Sequence, residues 1–443
     1  MKKLSDVNIG GKGWLLTLFG ACIFLVGGPW WQAGFLNAGI ASLMDQLGQS
    51  REAILHTHTI IAFIIIVANF FVPAIYKALK PKWTNILIMV VEAIAIAITG
   101  MATSLALYAI ARFFVLFGAQ AVCQVGIGAI YGRYFPTKKG FVLGWATVGA
   151  SATNFVTLPV MAALLPKVGF TGTMFIFAGW VILMALIQLI FIPNDPEKMN
   201  YVPDNGAPLS TATETFKNNA ENAYTWTLKD LIKSGTFWQM AIAYGIFIAM
   251  SAAYMAQLVP HLVMNGVEQL QAIGYISIMG IIGMISSAIS GIVDQAIGTR
   301  KTSIIMGCSY GVAMLIFGVL PFTMPTTLIS LFLFCIVMGA VSNLGPSHYI
   351  AVFGPKNFVN VQGYAMVIAG IIAAPTTSIL AFSSSATGSF KTAYLIFAIM
   401  DIIAIILVAT APDLMKKETG QKAIRLRVKK GQEIVMGKAA QEE

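Results

Sequence analysis

The sequence is short of charge. Only 10% of its 443 residues are Asp, Glu, Lys or Arg, where a soluble domain carries ~25%, so a water-exposed globule of this length is excluded. Cysteine and histidine are scarce, four of each. Cys22, Cys123, Cys308 and Cys335 all fall inside apolar stretches without paired spacing. They supply neither a disulfide framework nor a metal-ligand set and read as small buried hydrophobes. No GxxxxGK[ST] loop is present, which argues against nucleotide-driven transport. No His/Cys/Glu cluster or extramembrane domain points to an enzyme, and no cofactor is implied. No short cleavable leader is evident in the first apolar run, which is expected to stay as a helix.

What the chain has instead is hydrocarbon, 57% of its residues. Twelve apolar stretches can be marked off: 13–41, 52–76, 83–102, 104–132, 140–166, 170–193, 235–261, 269–294, 302–321, 326–354, 358–384 and 388–411. Most reach the ~20 residues that cross ~30 Å of bilayer core. Of the 28 Lys and Arg, the odd-numbered connections hold only Arg51, Lys167 and Lys391, Arg112 lies within a span, and the N-terminus, even-numbered connections and tail hold 24. Cytoplasmic loops collect Lys and Arg because cations resist outward translocation. The alternation predicts an all-α polytopic membrane protein of twelve transmembrane helices, with both termini cytoplasmic, in the cell membrane. The net charge of +10 follows from these loops and the tail and is no sign of nucleic-acid binding; the tail cluster favours anionic lipid headgroups.

A polar segment rich in Pro, Asn, Thr and Ser divides the chain. The organisation expected is a six-helix bundle over 1–193, a cytoplasmic linker with an amphipathic helix over 194–234, a second six-helix bundle over 235–411 and a basic tail over 412–443. The linker ends in Thr227-Leu-Lys-Asp230, the pattern of a capping box. The halves echo each other: Phe117-Gly118-Ala119 and Tyr134-Phe135-Pro136-Thr137-Lys138 in the first, Met338-Gly339-Ala340 and Phe353-Gly354-Pro355-Lys356 in the second. Parallel repeats of this kind place a substrate near mid-membrane between the halves.

These features resemble the major facilitator superfamily. The stretch Arg133-Tyr-Phe-Pro-Thr-Lys-Lys-Gly140, the entry Leu228-Lys-Asp-Leu-Ile-Lys-Ser-Gly-Thr-Phe-Trp238 and the exit Gly298-Thr-Arg-Lys-Thr302 are similar to its oxalate/formate antiporter and monocarboxylate transporter branch. The resemblance implies alternating access between two six-helix bundles. It also implies a gating motif after spans two and eight with a Gly, an Asp four residues on, then Gly and basic residues. After span eight the chain offers Gly291, Asp294, Gly298, Arg300 and Lys301, with the acid one position early. After span two it offers Pro73, Lys77, Lys80, Pro81 and Lys82, lacking both glycine and acid. The Arg and Lys with which oxalate carriers hold the dianion correspond here to Ser287 and Ala369. The cage aromatics correspond to Gln124, Met338 and Ser342. Without two buried cations a small dianion has nothing to offset its desolvation.

Charged residues within spans cost ~2.5–3.5 kcal/mol each at mid-helix on insertion scales, so each needs a reason. Arg112, ~12 Å from the outer end of span four, resembles the span-four arginine of proton-coupled members; it is the candidate anion contact or a control on a proton carrier. Glu92 in span three and Asp401 in span twelve are candidate proton carriers, since removal from water favours a carboxyl over a carboxylate; pairing within a bundle is the alternative for both. His348, beside Pro346 in span ten, could bind substrate or join helices. His56 and His58 stand two apart at the start of span two, on different helical faces, and His261 is interfacial; no metal site follows. Gln120 and Gln124, one turn apart on span four, with Trp31, Gln32, Tyr254, Gln257, Asn343 and Tyr364, complete the substrate-binding candidates. Trp30 and Asn154 stand behind them. The function expected is secondary transport of a small organic anion, a monocarboxylate above all, by symport with protons or by antiport. The alternative is efflux of an amphipathic, drug-like solute.

Overall fold

The computed structural model describes residues 8–31, 33–206 and 225–412. The basic tail beyond 412, the middle of the linker, and Gln32 lie outside the described residues; so do the side chains of Trp31, Asn154 and Gln257.

Among the described residues, ten helices are long and apolar enough to cross a membrane, eleven when Met324–Met338 and Val341–Phe353, meeting at 40°, count as one bent span. Lys139–Phe191 runs for 53 residues, ~80 Å at 1.5 Å per residue, far more than one ~30 Å crossing needs. Its backbone leaves the helical region at Gly169, φ 68° and ψ 179°, a conformation in which glycine meets no Cβ penalty. Dividing it there gives twelve spans among the described residues. In order, the remaining spans are Gly10–Gly27 continued as Ala33–Leu47, Arg51–Ala78, Pro81–Met101, Leu105–Tyr134, Gly235–Met264, Gln269–Ile297, Thr299–Val319, Pro355–Thr387 and Lys391–Thr410. Span one is longer than the apolar run indicates and is broken by a 3₁₀ turn at Gly28–Trp31, where Pro29 removes a backbone donor.

The linker is more ordered at its ends than its composition predicts. Residues 195–206 dock on the first bundle. Tyr201 donates to the Ile9 carbonyl at 3.0 Å and packs its ring on Tyr134 and Phe135. Asp204 accepts from the backbone N–H of Thr137 and Lys138 and from the Thr137 hydroxyl at 2.7 Å. Trp226 docks on the second bundle, its N–H donating to Asn357 Oδ1 at 2.9 Å and its ring meeting Phe353 edge-on. The capping box is formed: Thr227 and Asp230 each accept from the other's backbone N–H, heading the short helix Leu228–Ile232.

Both described ends of the chain lie at one end of the helix pair. Lys138 donates to Asn8 O, Gln295 to Thr137 O and Arg300 to Ala411 O. We call this the terminal end and its opposite the distal end. Two seams join the bundles. Spans five and eight meet glycine to glycine, so a Cβ on Gly144 would lie 2.6 Å from Gly291 Cα. Above them Thr147 and Ser287 share a hydrogen bond of 2.7 Å, and Ser287 donates to Gly144 O at 2.8 Å. Spans two and eleven meet through Pro73 on Gly363 and Ile66 on Gly370, while Phe358 covers Gly128 of span four. All these contacts fall between the terminal end and mid-span, so this conformation is shut at the terminal end.

Candidate functional site

The distal halves of spans two and four start in step. Ser50 Oγ accepts from Ala53 N–H and Ser104 Oγ from Leu107 N–H, each at 3.3 Å, capping the two helices. Both caps satisfy an orphan first-turn donor. His58 and Arg112 each stand seven residues beyond the first helical residue, Arg51 and Leu105, hence ~10 Å down their helices and at one depth. There Arg112 Nε donates to His58 Nε2 at 3.1 Å, and Tyr108 Oη lies 2.9 Å from the same nitrogen. Because Nε2 accepts from a guanidinium that has no acceptor of its own, it carries no proton in this state, and Tyr108 must be its second donor. The break in span one supplies the third wall. Arg112 Nη2 donates to the Trp30 carbonyl at 2.5 Å, and the guanidinium sits 5.6 Å from the Trp30 ring centre, a cation–π distance. Trp30 in turn meets Phe177 edge-on at 6.0 Å.

Arg112 is 4% exposed and Tyr108 1%, while His58 is half-buried. No carboxylate lies within ion-pair distance of Arg112 among the described residues: the ion pairs there join Asp195 to Arg133 and Lys198, at the terminal end. A buried cation without a counter-ion is costly. Two of its five N–H groups are used in the bonds above, which leaves donors for an anion. A groove of about 520 Å³ runs alongside between the same spans, lined by Thr57, Ile60, Ile61, Ile64, Ala109 and Phe113 among others.

The other residues named from sequence are spread over four places. Gln120 and Gln124 are half-buried on one stripe of span four with Phe113 and Phe117. Gln120 Oε1 accepts weakly from Asn69 at 3.4 Å. A π-helical turn, Ala121–Gly126, follows, an irregularity frequent at functional sites. Tyr364 lies in the second seam, its ring 5.4 Å from Phe70 of span two. Within the second bundle, Tyr254 is fully buried, stacked on Phe334 at 3.9 Å and bonded to Ser330 at 3.1 Å. His348 Nδ1 is 2.9 Å from Tyr244 Oη, which also meets Ser303 at 2.6 Å. Asn343 donates to Ser290 at 2.9 Å, tying span ten to span eight. Glu92 is buried between spans one, three, four and six against Gly118, beside a cavity of about 10 Å³. Asp401 is buried against Gly311 between spans nine and twelve. Oε1 of Glu92 and both oxygens of Asp401 lack a hydrogen-bond partner among the described residues.

The motif after span eight is at the seam. The Asp294 carboxylate occupies the space over Gly140 that a side chain would fill, at the positive N-terminal end of span five, and accepts from Ser347 at 2.6 Å. Gly291 faces Gly144, Gly298 turns the chain at φ 87°, Arg300 bonds Ala411 O and Lys301 is exposed. The Arg112 cluster brings in His58 and Tyr108, which sequence reasoning did not join to it. The available signal was their equal depth from two capped helix starts, which carries weight only once spans two and four are known to be neighbours.

With this geometry in view, the chain can be set beside known proteins. A family model described as Major Facilitator Superfamily matches residues 19–374. Monocarboxylate transporter 12 of Rattus norvegicus is 24% identical over 190 residues, 39% of this chain and 38% of that protein. The Homo sapiens protein of that name is 25% identical over 186 residues, 39% of this chain and 36% of its own length. The alignment thus spans under two-fifths of these relatives. Among solved structures, the proton:xylose symporter XylE superposes with TM-score 0.69 at 11% identity, over 93% of this chain and 98% of its own. The E. coli fucose:proton symporter FucP gives 0.64 at 14%, over 90% and 98%. The human organic anion transporter MFSD10 gives 0.65 at 13%, over 89% and 98%. Twelve spans in two bundles, the glycine-to-glycine seam and the family match together make this chain a transporter of the major facilitator superfamily, not an enzyme.

Proposed function

We propose that the protein carries a small organic anion, a monocarboxylate, across the cell membrane by alternating access, with both termini in the cytoplasm. One observation bears most of the weight: Arg112 is a buried cation with unused donors and no carboxylate beside it among the described residues. A bound carboxylate would supply the missing charge and accept those donors, a charge-assisted contact. One such cation suits a monoanion; a dianion would bring a second charge with nothing to meet it. The names of the sequence relatives, monocarboxylate transporters, and of one fold neighbour, an organic anion transporter, support the same chemistry. The sidedness rests on the excess of Lys and Arg in the terminal-end connections. Gln120 and Gln124, half-buried on the same helix, are the neutral groups assigned to the path below Arg112.

The apolar groove beside the site favours a second reading, efflux of an amphipathic solute. Counterflow in proteoliposomes with labelled acetate, formate, lactate and longer carboxylates separates the two. Exchange of carboxylates supports the first. Exchange confined to amphipathic cations or neutral drugs supports the second. Arg112→Gln should raise the KM for the carboxylate about 10- to 150-fold, from the ~1.5–3 kcal/mol of a charged hydrogen bond, with expression intact. Unchanged exchange would remove Arg112 from the site.

A further inference from the structure

We infer that His58 is the group that takes up a proton together with the anion, so that proton and anion binding are coupled through the Arg112–His58 hydrogen bond. This rests on the reading of Arg112 as the anion contact. The coupling follows from hydrogen-bond polarity. In the present state both neighbours, Arg112 Nε and Tyr108 Oη, address a single acceptor nitrogen. A proton placed on Nε2 turns that acceptor into a donor facing a donor. The Arg112 bond must then break, which frees Nε and sets two cations side by side. A monoanion entering between them accepts from both and relieves their mutual repulsion, so the site with proton and anion bound carries the same net charge as the empty site with Arg112 alone. Each ligand thus improves the site for the other, and the coupling is reciprocal.

The surroundings leave this pair to set the response. From span four His58 meets Arg112 and Tyr108, and Arg112 is the charged group in contact with it among the described residues. On its own helix Arg51, Glu52 and His56 are exposed. On Ala33–Leu47, which packs against span two, the one charged residue is the exposed Asp45. The packed part of span eleven, Phe358–Ala373, has no charged residue, and its Tyr364 meets Phe70, twelve residues further along span two. His58 is half-buried, seven residues from the distal start of span two. Glu92 and Asp401, enclosed within single bundles, have no contact of this kind with Arg112.

The test is the pH dependence of the external KM for a labelled monocarboxylate that the wild-type protein exchanges in proteoliposomes. One proton taken up per anion makes KM rise by about tenfold per pH unit above the titration of His58. In His58→Gln the amide oxygen still accepts from Arg112 but cannot be protonated. Whatever rate this variant keeps, its KM should be flat with pH, and an inward pH gradient should no longer drive accumulation. Glu92→Gln should keep the wild-type slope. If His58→Gln cannot be purified, Tyr108→Phe, which removes a donor to the unprotonated nitrogen, should move the onset of the slope to higher pH. A wild-type slope in His58→Gln, a flat KM in Glu92→Gln with an intact slope in His58→Gln, or an unmoved onset in Tyr108→Phe overturns the inference. Absence of carboxylate exchange in the wild type would instead overturn the reading of the substrate.

Discussion

Replacing Gly144 by alanine should hold the carrier open at its terminal end. The added Cβ would stand 2.6 Å from Gly291 Cα, 2.8 Å from Gly291 N and 2.8 Å from Ser287 O. All three are backbone atoms, so no side chain can swing aside. A comfortable carbon contact is ~3.5–4.0 Å, and spans five and eight must part by about 1 Å to reach it. Overpacking of this kind costs ~1–3 kcal/mol. The cost falls only on the state in which the seam is shut, so the equilibrium moves about 5- to 150-fold toward the terminal-open state. Spin labels at Lys80 and Lys301, exposed residues of opposite bundles near that end, would report it as a shift of the distance distribution to longer values. The exposed Cys308 has first to be replaced by serine. Gly149→Ala is the comparison, since its Cβ would strike the Ala21 carbonyl inside the first bundle and should lower stability without moving the distance. An intact Gly144→Ala protein with a wild-type distribution would refute the role given to this seam.

Two further expectations concern residues away from the seam. Tyr254→Phe keeps the stack on Phe334 and loses the bond to Ser330; it should cost ~1 kcal/mol of stability and leave KM for the anion within twofold, as measured by thermal unfolding and exchange. Burial pushes the Asp204 carboxyl above its ordinary range, against the pull of Thr137 and Lys138. The folded chain therefore holds this proton more tightly than the unfolded one. Its contribution is full below the ordinary carboxylate value and is lost as pH rises through the raised value. Asp204→Asn should flatten that fall, read as melting temperature between about pH 4 and pH 7.

The fold was legible because bilayer physics writes it into composition. Hydrocarbon thickness sets the length of each run, and the cost of translocating Lys and Arg marks alternate loops, so twelve spans could be counted without knowing a contact. The broken first span was harder to read, because Trp30 and Trp31 prolong the apolar run through a 3₁₀ turn that only Gly28-Pro29 betrays. The site was legible in one residue. Arg112 declared itself as a charge in an apolar stretch, whereas His58, 54 positions away, reads as ordinary helix start until spans two and four are placed side by side. Tyr254 and Asn343 carried the opposite difficulty. A polar group in a span can face a pathway or a neighbouring helix, and sequence periodicity does not say which; here Ser330 and Ser290 take their hydrogen bonds.

The two seams differ in a way that bears on how the terminal end opens. At spans five and eight closure rests on a carboxylate, Asp294, laid on the N-terminal end of span five, with Thr147 and Ser287 bonded across the gap. At spans two and eleven the corresponding acid and glycine are missing, and Pro73, Ile66 and Phe358 close on glycines of the facing helices instead. Opening the first seam exposes polar groups that water can satisfy, so much of their hydrogen bonding is regained. Opening the second exposes hydrocarbon, which water does not reward. The apolar seam thus opposes opening by burial, while the polar seam fixes register through paired groups. The terminal end is therefore closed at one seam by buried hydrocarbon and at the other by paired polar groups.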